Sequence, residues 1–243
     1  MERRGGAPPH VHVWVVSLCG GGDQVVHEAE ALLAPDEIER ANRFRVPAPR
    51  RSFVLTRACL RRVIGEWLDR DPREVVLAAG EHGKLYVDGG GVEFNVSHSG
   101  DVALLAVTRG GRLGVDVERI DESPDIDTLS RRFFSPAEAD ALAALSPRDR
   151  RVAFFVCWTR KEALLKATGR GLSVPLRDVE TGVSRSLPVR RLRVPGEPTA
   201  WTIWDLDAPE GYAAAIAVAE EAGEIRTHRV DASGLLRGPV GAE

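Results

Sequence analysis

Two acidic residues spaced two positions apart are the first feature of this sequence that could do chemistry. Asp116 and Glu118 lie in a predicted strand, Leu113–Ile120, and residues two apart in a strand project from the same face. Neighbouring carboxylates repel each other and are costly to bury unless a cation joins them. Mg²⁺ prefers such oxygen ligands and completes its coordination with water and substrate phosphates. The pair is a candidate magnesium site, although the spacing alone is more typical of two solvated acids on an exposed strand.

A third acid lies on a long predicted helix. Glu162 comes four residues after Trp158 and four residues before Lys166, which puts the three side chains on one helix face. An exposed Glu–Lys pair at this spacing stabilises a helix by only about 0.2–0.5 kcal/mol. The same face would also present a carboxylate beside a lysine that can neutralise a phosphate. Taken alone, the spacing favours the ordinary surface pair, and we expect Trp158 in the core.

A cluster of short polar side chains ends another predicted strand. Ser97, His98 and Ser99 follow the strand Val92–Val96 and precede Gly100. Hydroxyl and imidazole groups donate hydrogen bonds to anions, and a protonated histidine adds positive charge. A strand-to-turn junction explains the serines and the glycine equally well, but it gives no particular reason for the histidine.

The order of these segments is more informative than any one of them. In chain order they are an HGK turn at 82–84, FNVSHS at 94–99, GVDVE at 114–118, RFFS at 132–135 and WTRKEALLKATGRGL at 158–172. This order and spacing resemble the Sfp-type 4'-phosphopantetheinyl transferase family over residues 40–176. The resemblance implies an enzyme that moves 4'-phosphopantetheine from coenzyme A to a serine of an apo acyl or peptidyl carrier protein and releases 3',5'-ADP.

The resemblance also implies a role for each matching residue. Asp116 and Glu118 would bind Mg²⁺, and Glu162 would either complete the metal site or act as general base toward the serine hydroxyl. Lys166 would neutralise the pyrophosphate. Six residues would contact coenzyme A as well: Ser97 and His98 at its phosphates, Gly83 and Lys84 beside the adenine and 3'-phosphate, and Arg40 and Arg51 at the 3'-phosphate.

The sequence departs from the family's pattern near the expected 3'-phosphate contacts. Leu85 follows Lys84 where a proline is common, Glu37 stands where a lysine is expected, and Phe53 occupies a small-residue position. The adenine-side loop is therefore expected to differ from the family's.

Two more charged residues of the matched region have predicted roles. The Ser-Pro-Ala-Glu run at 135–138 is a capping box, so we expect Glu138 to cap a helix rather than bind a ligand. We expect Lys161 to pack or pair near the metal site.

The elements that must position these residues follow a repeated order. Predicted helices at Glu28–Arg43 and Arg51–Leu68 precede short strands, and further helices after Ser135 and Ser146 precede strands from Pro188 onward. The helix opened by Ser146 has no breaker before the Gly-Arg-Gly run at 169–171. Helices followed by strands twice over predict an α+β fold.

The family resemblance refines this prediction of the fold. It implies two similar α+β halves related by a pseudo-two-fold axis, with the active site in the cleft between them. We assign residues 1–112 to the first half, residues 113–231 to the second, and residues 232–243 to a loose, glycine-rich tail.

Composition narrows the classes of function. The net charge of −3 predicts no general attraction to nucleic acid. No stretch reaches the roughly 18–20 apolar residues that a membrane-spanning helix needs. Cys19, Cys59 and Cys157 are odd in number and form no CxxC pair, which argues against a disulfide framework or a zinc site. We expect a cytoplasmic monomer.

Two other functions use overlapping sets of residues. A metal-dependent phosphohydrolase would need the same acids and phosphate-binding groups, but no carrier protein. A non-catalytic coenzyme A-binding protein would have no need of the metal and base residues. Within the transferase interpretation, carriers of fatty-acid, polyketide and nonribosomal-peptide synthesis fit equally well.

Overall fold

The computed structural model describes residues 10–80, 83–121, 125–171, 175–184, 189–219 and 223–241. The described elements in chain order are β1 (Val11–Ser17), α1 (Gly22–Glu30), α2 (Pro35–Asn42), α3 (Pro47–Leu68), β2 (Leu77–Ala79), β3 (Leu85–Val87), β4 (Glu93–Ser99), β5 (Val102–Thr108), β6 (Leu113–Arg119), α4 (Ile126–Phe133), α5 (Pro136–Ala143), α6 (Pro147–Thr168), β7 (Val189–Arg193), β8 (Ala200–Asp205), β9 (Tyr212–Ala219), β10 (Ile225–Asp231) and α7 (Ala232–Arg237).

Two four-stranded sheets organise these elements. The strand order is β10–β1–β5–β4 in the first sheet and β6–β9–β8–β7 in the second, and β2 and β3 form a separate hairpin. Helix α3 shares a buried apolar cluster with one face of the first sheet, and α6 shares another with the second. The predicted α+β fold with two halves is therefore confirmed.

The opposite faces of the two sheets share one apolar layer. Val13 of β1 and Leu104 of β5 lie in the same buried cluster as Val115 of β6 and Ile216 of β9. Because side chains alternate along a strand, the residues between these valines and leucines point to the helix-covered faces. Trp14, for example, packs in the cluster that contains α3. This alternation decides which side of β6 carries the acidic residues.

The long helix α6 follows the sequence prediction closely. The Ser146 hydroxyl accepts a hydrogen bond from the amide of Asp149 at 3.3 Å, so the helix is capped where expected. Gly169 ends it with a φ of 69°, a left-handed conformation that glycine adopts at little cost.

The predicted first helix, Glu28–Arg43, is wrong as a single element. The structure has α1 and α2 with a break between Glu30 and Pro35, because proline is favoured at the first position of a new helix. For the same reason Pro47 begins α3, whereas the sequence prediction began that helix at Arg51.

The C-terminal segment differs from the expected loose tail. Strand β10 pairs in parallel with β1, so residues 225–231 belong to the first sheet rather than to the second half. Helix α7 follows, and Ala232, Leu235 and Val240 are buried in the cluster around α3. The Trp14 indole also donates to the carbonyl of Val240 at 2.9 Å. Apolar burial therefore holds residues 232–240 in place.

The structure bears on two expectations drawn from the composition, one about membrane-spanning helices and one about the cysteines. Among the described helices, none is both long enough and apolar enough to cross a bilayer. Cys19 is exposed, Cys59 and Cys157 are buried, and all three are free thiols.

Candidate active site

The alternation of β6 places the acidic pair on one face of the strand. Val115 and Val117 occupy the apolar layer between the sheets, so Asp116 and Glu118 project from the other face toward α6. Asp116 is only 2% exposed. Burial of a carboxylate at this depth requires compensating partners.

A glycine lets α6 approach this face of β6 very closely. An ideal Cβ on Gly114 would lie 2.3 Å from both the carbonyl oxygen of Ala163 and the amide nitrogen of Ala167. No larger residue fits there without moving the helix or the strand. The close contact brings Glu162 and Lys166, on the adjacent turns of α6, to the level of Asp116.

Asp116 is held by a lysine and a serine. Lys166 Nζ lies 2.7 Å from Asp116 Oδ1, and the Ser97 hydroxyl donates to the same oxygen at 2.9 Å. Lys166 also donates to Ser97 Oγ at 2.9 Å. The second carboxylate oxygen, Oδ2, is buried and has no hydrogen-bond partner among the described residues. Burial raises the pKa of Asp116, and the Lys166 ammonium opposes that rise.

A ladder of side-chain hydrogen bonds joins β4 to β6. The side-chain oxygens of Asn95, Ser97 and Ser99 accept hydrogen bonds from the amides of Val115, Val117 and Arg119, at 2.9, 3.4 and 3.1 Å respectively. Ser99 in turn donates to Glu118 Oε2 at 2.9 Å. The edge strands of the two sheets are therefore connected by alternate polar side chains, and the two serines orient the two acids.

The three acids repel one another. Burial raises the pKa of Glu118 to about 7, and the negative charge of Asp116 adds to the effect. The pKa of Glu162 is also raised, first by burial and then by Asp116, while Lys166 lowers it. One lysine thus faces three carboxylates, and the surplus negative charge favours a cation or a proton at this site.

The three acids do not form a ready-made metal site. Within the described parts of the chain, no three His, Cys, Asp or Glu side chains are grouped closely enough to hold a metal ion. Lys166 occupies Asp116 Oδ1 instead. Mg²⁺ commonly takes only one or two carboxylates and fills its other positions with water and phosphate. The oxygen donors and the unpartnered Asp116 Oδ2 fit such a site.

A cavity of about 470 Å³ is bordered by one of the three acids, Glu162. Its lining includes Glu162 and Lys166 from α6, and Arg40, Arg57 and Lys84 from the first half of the chain. A smaller cavity of about 140 Å³ is lined by the same two arginines together with Ser97 and His98. Acids, cations and open space therefore meet in one region, as phosphate chemistry requires.

The structure brings most of the predicted coenzyme A contacts to these cavities. Gly83, with a φ of 77°, and Lys84 line the larger one. Lys84 Nζ donates to the carbonyl of Leu113 at 3.1 Å, and burial lowers its pKa. His98 is exposed beside the smaller cavity. Ser97 is buried and already bonded to Asp116, so it orients the acid.

Arg51 is the predicted contact that the structure does not bring to the cavities. Its guanidinium donates to the carbonyl of Gly22 at 2.9 Å and to the carbonyls of Leu18 and Gly20. Arg51 therefore holds the loop between β1 and α1, and it is absent from the lining of both cavities.

Sequence reasoning missed Arg57, which lines both cavities. It lies one helical turn after Phe53 in α3, and its guanidinium carbon is 5.5 Å from the centre of that ring. The spacing of Phe53 and Arg57 by four residues was the available signal. Nothing in the sequence indicated that this face of α3 borders a cavity.

Lys161 is paired away from the acids, contrary to expectation. Its ammonium lies 2.8 Å from Glu138 Oε2 and donates to the carbonyls of Leu176 and Val179. Glu138 also accepts the Ser135 amide at 3.0 Å in the predicted capping box. Trp158 stacks on Phe154 as part of an aromatic cluster.

Two stretches of the chain match described protein families. Residues 112–217 match the 4'-phosphopantetheinyl transferase superfamily. Residues 23–109 match the family described as 4'-phosphopantetheinyl transferase, N-terminal. The two matches cover both halves of the fold and meet near the start of β6.

Individual relatives bear the same description. The 4'-phosphopantetheinyl transferase HetI of Nostoc sp. is 35% identical over 213 residues, which cover 86% of this chain and 87% of HetI. The putative 4'-phosphopantetheinyl transferase slr0495 of Synechocystis sp. is 33% identical over 174 residues, or 70% of each chain. The transferase Sfp of Bacillus subtilis is 26% identical over 190 residues, which cover 78% of this chain and 83% of Sfp.

Proposed function

Because this chain belongs to the 4'-phosphopantetheinyl transferase family and is an enzyme that transfers phosphopantetheine to carrier proteins, we propose that it takes this group from coenzyme A with the help of Mg²⁺. The acceptor is the hydroxyl of a carrier serine, and the released product is 3',5'-ADP. The observation that carries the proposal is Asp116 Oδ2, which is buried and has no hydrogen-bond partner among the residues that the structure describes. Its neighbours Glu162 and Lys166 line a cavity whose wall also carries arginines and a second lysine.

Asp116 and Glu118 hold the cation in this proposal, and Ser97 and Ser99 keep the two carboxylates in place. When bound, Mg²⁺ would neutralise charge that develops on the pyrophosphate oxygens. Lys166 exchanges part of its contact with Asp116 for the pyrophosphate, since an ammonium carries three donors. Positioning and charge neutralisation supply most of the rate in phosphoryl transfer.

Glu162 is the proposed general base. The serine oxygen attacks the β-phosphorus of coenzyme A, the bond from that phosphorus to the bridging oxygen breaks, and 3',5'-ADP leaves with the electron pair. The serine proton passes to Glu162. A carboxylate whose pKa is raised by burial is a better base near neutral pH than an ordinary glutamate.

The remaining assignments refine this proposal. His98, Lys84, Gly83 and Arg40 line the two cavities and are proposed to bind coenzyme A. We also retain the Sfp type as a proposal, which the 26% identity to Sfp leaves open. A cytoplasmic monomer is proposed on the composition of the chain alone.

Intact-mass measurement of an apo-carrier protein tests the proposed reaction directly. The carrier is incubated with enzyme, coenzyme A and Mg²⁺, and the expected result is a mass increase of one phosphopantetheine group. Breakdown of coenzyme A without a carrier adduct would indicate a phosphohydrolase instead. Binding of coenzyme A with neither outcome would indicate a non-catalytic protein.

Glu162→Gln tests the role of the base separately. We expect a fall in kcat of about 10²- to 10⁴-fold, the usual contribution of a general base, with little change in coenzyme A affinity. If affinity alone falls, Glu162 serves binding and the base assignment is wrong.

A further inference from the structure

The turn between β4 and β5 follows directly after the polar residues that orient the acids. It consists of Gly100 and Asp101, since Ser99 pairs with Val102 across the hairpin. Gly100 has a φ of 54°, whereas the φ of Asp101 is negative. A positive φ at the first of two central residues is the pattern of a type II′ turn, and glycine adopts it most easily. The turn therefore joins β4 to β5 tightly.

Tyr212 reaches this turn from the other half of the chain. It is the first residue of β9 and pairs with Arg119 of β6, and its ring packs, partly buried, against the apolar layer between the two sheets. Its hydroxyl accepts a hydrogen bond from the amide of Asp101 at 3.1 Å. Tyr212 thus connects the second sheet to the end of β4.

Gly100 makes room for this contact. An ideal Cβ on Gly100 would lie 2.7 Å from the hydroxyl oxygen of Tyr212 and 3.4 Å from Arg119 Cδ. The first distance is well inside van der Waals contact, so a side chain at position 100 would push the tyrosine away. The glycine therefore serves both the conformation of the turn and the approach of the hydroxyl.

The first half of the chain holds the same turn from another side. The Ser52 hydroxyl donates to the carbonyl of Gly100 at 3.1 Å, and the amide of Leu18 donates to the carbonyl of Asp101 at 2.8 Å. These two bonds fix the turn relative to α3 and to the end of β1. The bond to Tyr212 fixes it relative to the second sheet, which includes β6.

Ser99 is the residue through which this position affects the site. It ends β4, is half-buried, and donates to Glu118 Oε2 at 2.9 Å, the one hydrogen bond that the described part of the chain makes to that carboxylate. Asp116, by contrast, is held by both Lys166 and Ser97. The orientation of Glu118 therefore depends on how precisely the end of β4 is placed beside β6.

We propose that Tyr212 is a positioning residue for the magnesium site: its hydroxyl holds the β4–β5 turn, the turn holds Ser99, and Ser99 holds Glu118 in place for the cation. This inference rests on the proposed binding of Mg²⁺ by Glu118. The amide of Asp101 is exposed, and water would satisfy it about as well as the tyrosine does. The hydroxyl therefore supplies position rather than a missing partner, and its loss should affect cation binding more than folding.

Tyr212→Phe removes the hydroxyl and leaves the ring against the apolar layer. Mn²⁺ takes the same kinds of oxygen ligand as Mg²⁺, and its dissociation constant is measured by electron paramagnetic resonance at saturating coenzyme A. Without a carrier protein, no transfer takes place during the titration. We expect Tyr212→Phe to raise the constant about three- to tenfold, the range that the loss of one neutral hydrogen bond supports. An unchanged constant would overturn the proposal.

Tyr86→Phe is the matched control, because the sequence contains only these two tyrosines. Tyr86 is exposed and lines neither cavity, so this variant should keep the Mn²⁺ constant within about twofold. Kinetics separate positioning from folding. In Tyr212→Phe the Mg²⁺ concentration for half-maximal carrier modification should rise by the same factor as the Mn²⁺ constant, while kcat at saturating Mg²⁺ stays within about twofold. A lower kcat with an unchanged Mg²⁺ requirement would leave Tyr212 a structural role only.

A double-mutant cycle tests whether Tyr212 acts through Ser99. Ser99→Ala should raise the Mn²⁺ constant at least as much as Tyr212→Phe does, and Ser99→Thr, which keeps a hydroxyl, should retain the parent value. Because the two residues belong to one chain of contacts, their effects should not add, and the double variant should match Ser99→Ala within about twofold. Effects that multiply would show that Tyr212 acts by another route and would overturn the proposal.

Hydrogen exchange of the Asp101 amide measures the first contact without metal or substrate. Loss of the hydroxyl should speed this exchange about three- to tenfold, and equal rates in the parent and in Tyr212→Phe would overturn the inference. A parent that neither binds Mn²⁺ nor modifies the carrier would refute the proposed function. A parent that does both, with a cation affinity that does not depend on Tyr212, would refute the inference alone.

Discussion

Substitution of Gly114 by alanine is the sharpest single test of how the acids are brought together. The added Cβ would lie 2.3 Å from Ala163 O and from Ala167 N, both backbone atoms of α6. Backbone atoms within a helix cannot rotate away as a side chain can. Helix α6 must therefore move outward by about 1 Å to reach ordinary van der Waals contact.

The expected cost has two parts. Overpacking of this kind destabilises a protein by about 1–3 kcal/mol, and a chain of this size loses roughly 2–4 °C in Tm per kcal/mol. The fall in Tm should therefore be about 2–12 °C. Glu162 and Lys166 move with α6, and a 1 Å misplacement of reacting groups costs on the order of 10²-fold in rate. Activity should thus fall far more than the folded fraction.

The assay is kcat for carrier modification at a temperature well below both melting transitions, with Tm measured by calorimetry. Gly65→Ala is the control, because its Cβ would lie 2.8 Å from the carbonyl of Arg70, and Gly65 lines neither of the two cavities. That variant should lose stability but keep kcat within about twofold. If Gly114→Ala is destabilised yet retains the parent kcat, the close approach of β6 and α6 does not position the acids.

Three further predictions follow from the site and its surroundings. Asp116→Ala should abolish carrier modification while circular dichroism remains that of the parent, and near-normal turnover at low Mg²⁺ would contradict its role as a ligand. The stabilisation of the enzyme by Mg²⁺ should be larger at pH 8 than at pH 6, because Glu118 has a pKa of about 7 and its protonated form below that pH competes with the cation. Tm with and without Mg²⁺ at each pH measures this, and equal shifts at both values would refute it. Lys161→Met should lower the free energy of unfolding by about 3–5 kcal/mol, since it leaves Glu138 buried without its cation. Urea unfolding measures that loss, and a change below about 1 kcal/mol would show that the backbone amides around Glu138 suffice.

The sequence alone determined those features that depend on the local geometry of the chain. The spacing of Asp116 and Glu118 puts both acids on one face of any strand, and the spacing of Glu162 and Lys166 puts both on one face of any helix. The bounds of α6 follow from its serine cap and its terminal glycine. The order of the motifs likewise predicted a 4'-phosphopantetheinyl transferase, and the relatives confirm that family but not the Sfp type.

The tertiary structure decided which of these faces meet. Hydrogen bonds from the side chains of Asn95, Ser97 and Ser99 on β4 join that strand to β6. The pairing of β10 with β1 joins the two ends of the chain. Arg51 and Arg57 lie on the same helix, and only the packing of α3 determines which one borders a cavity. Such contacts depend on the apolar area that distant segments bury together, and local periodicity carries no information about that area.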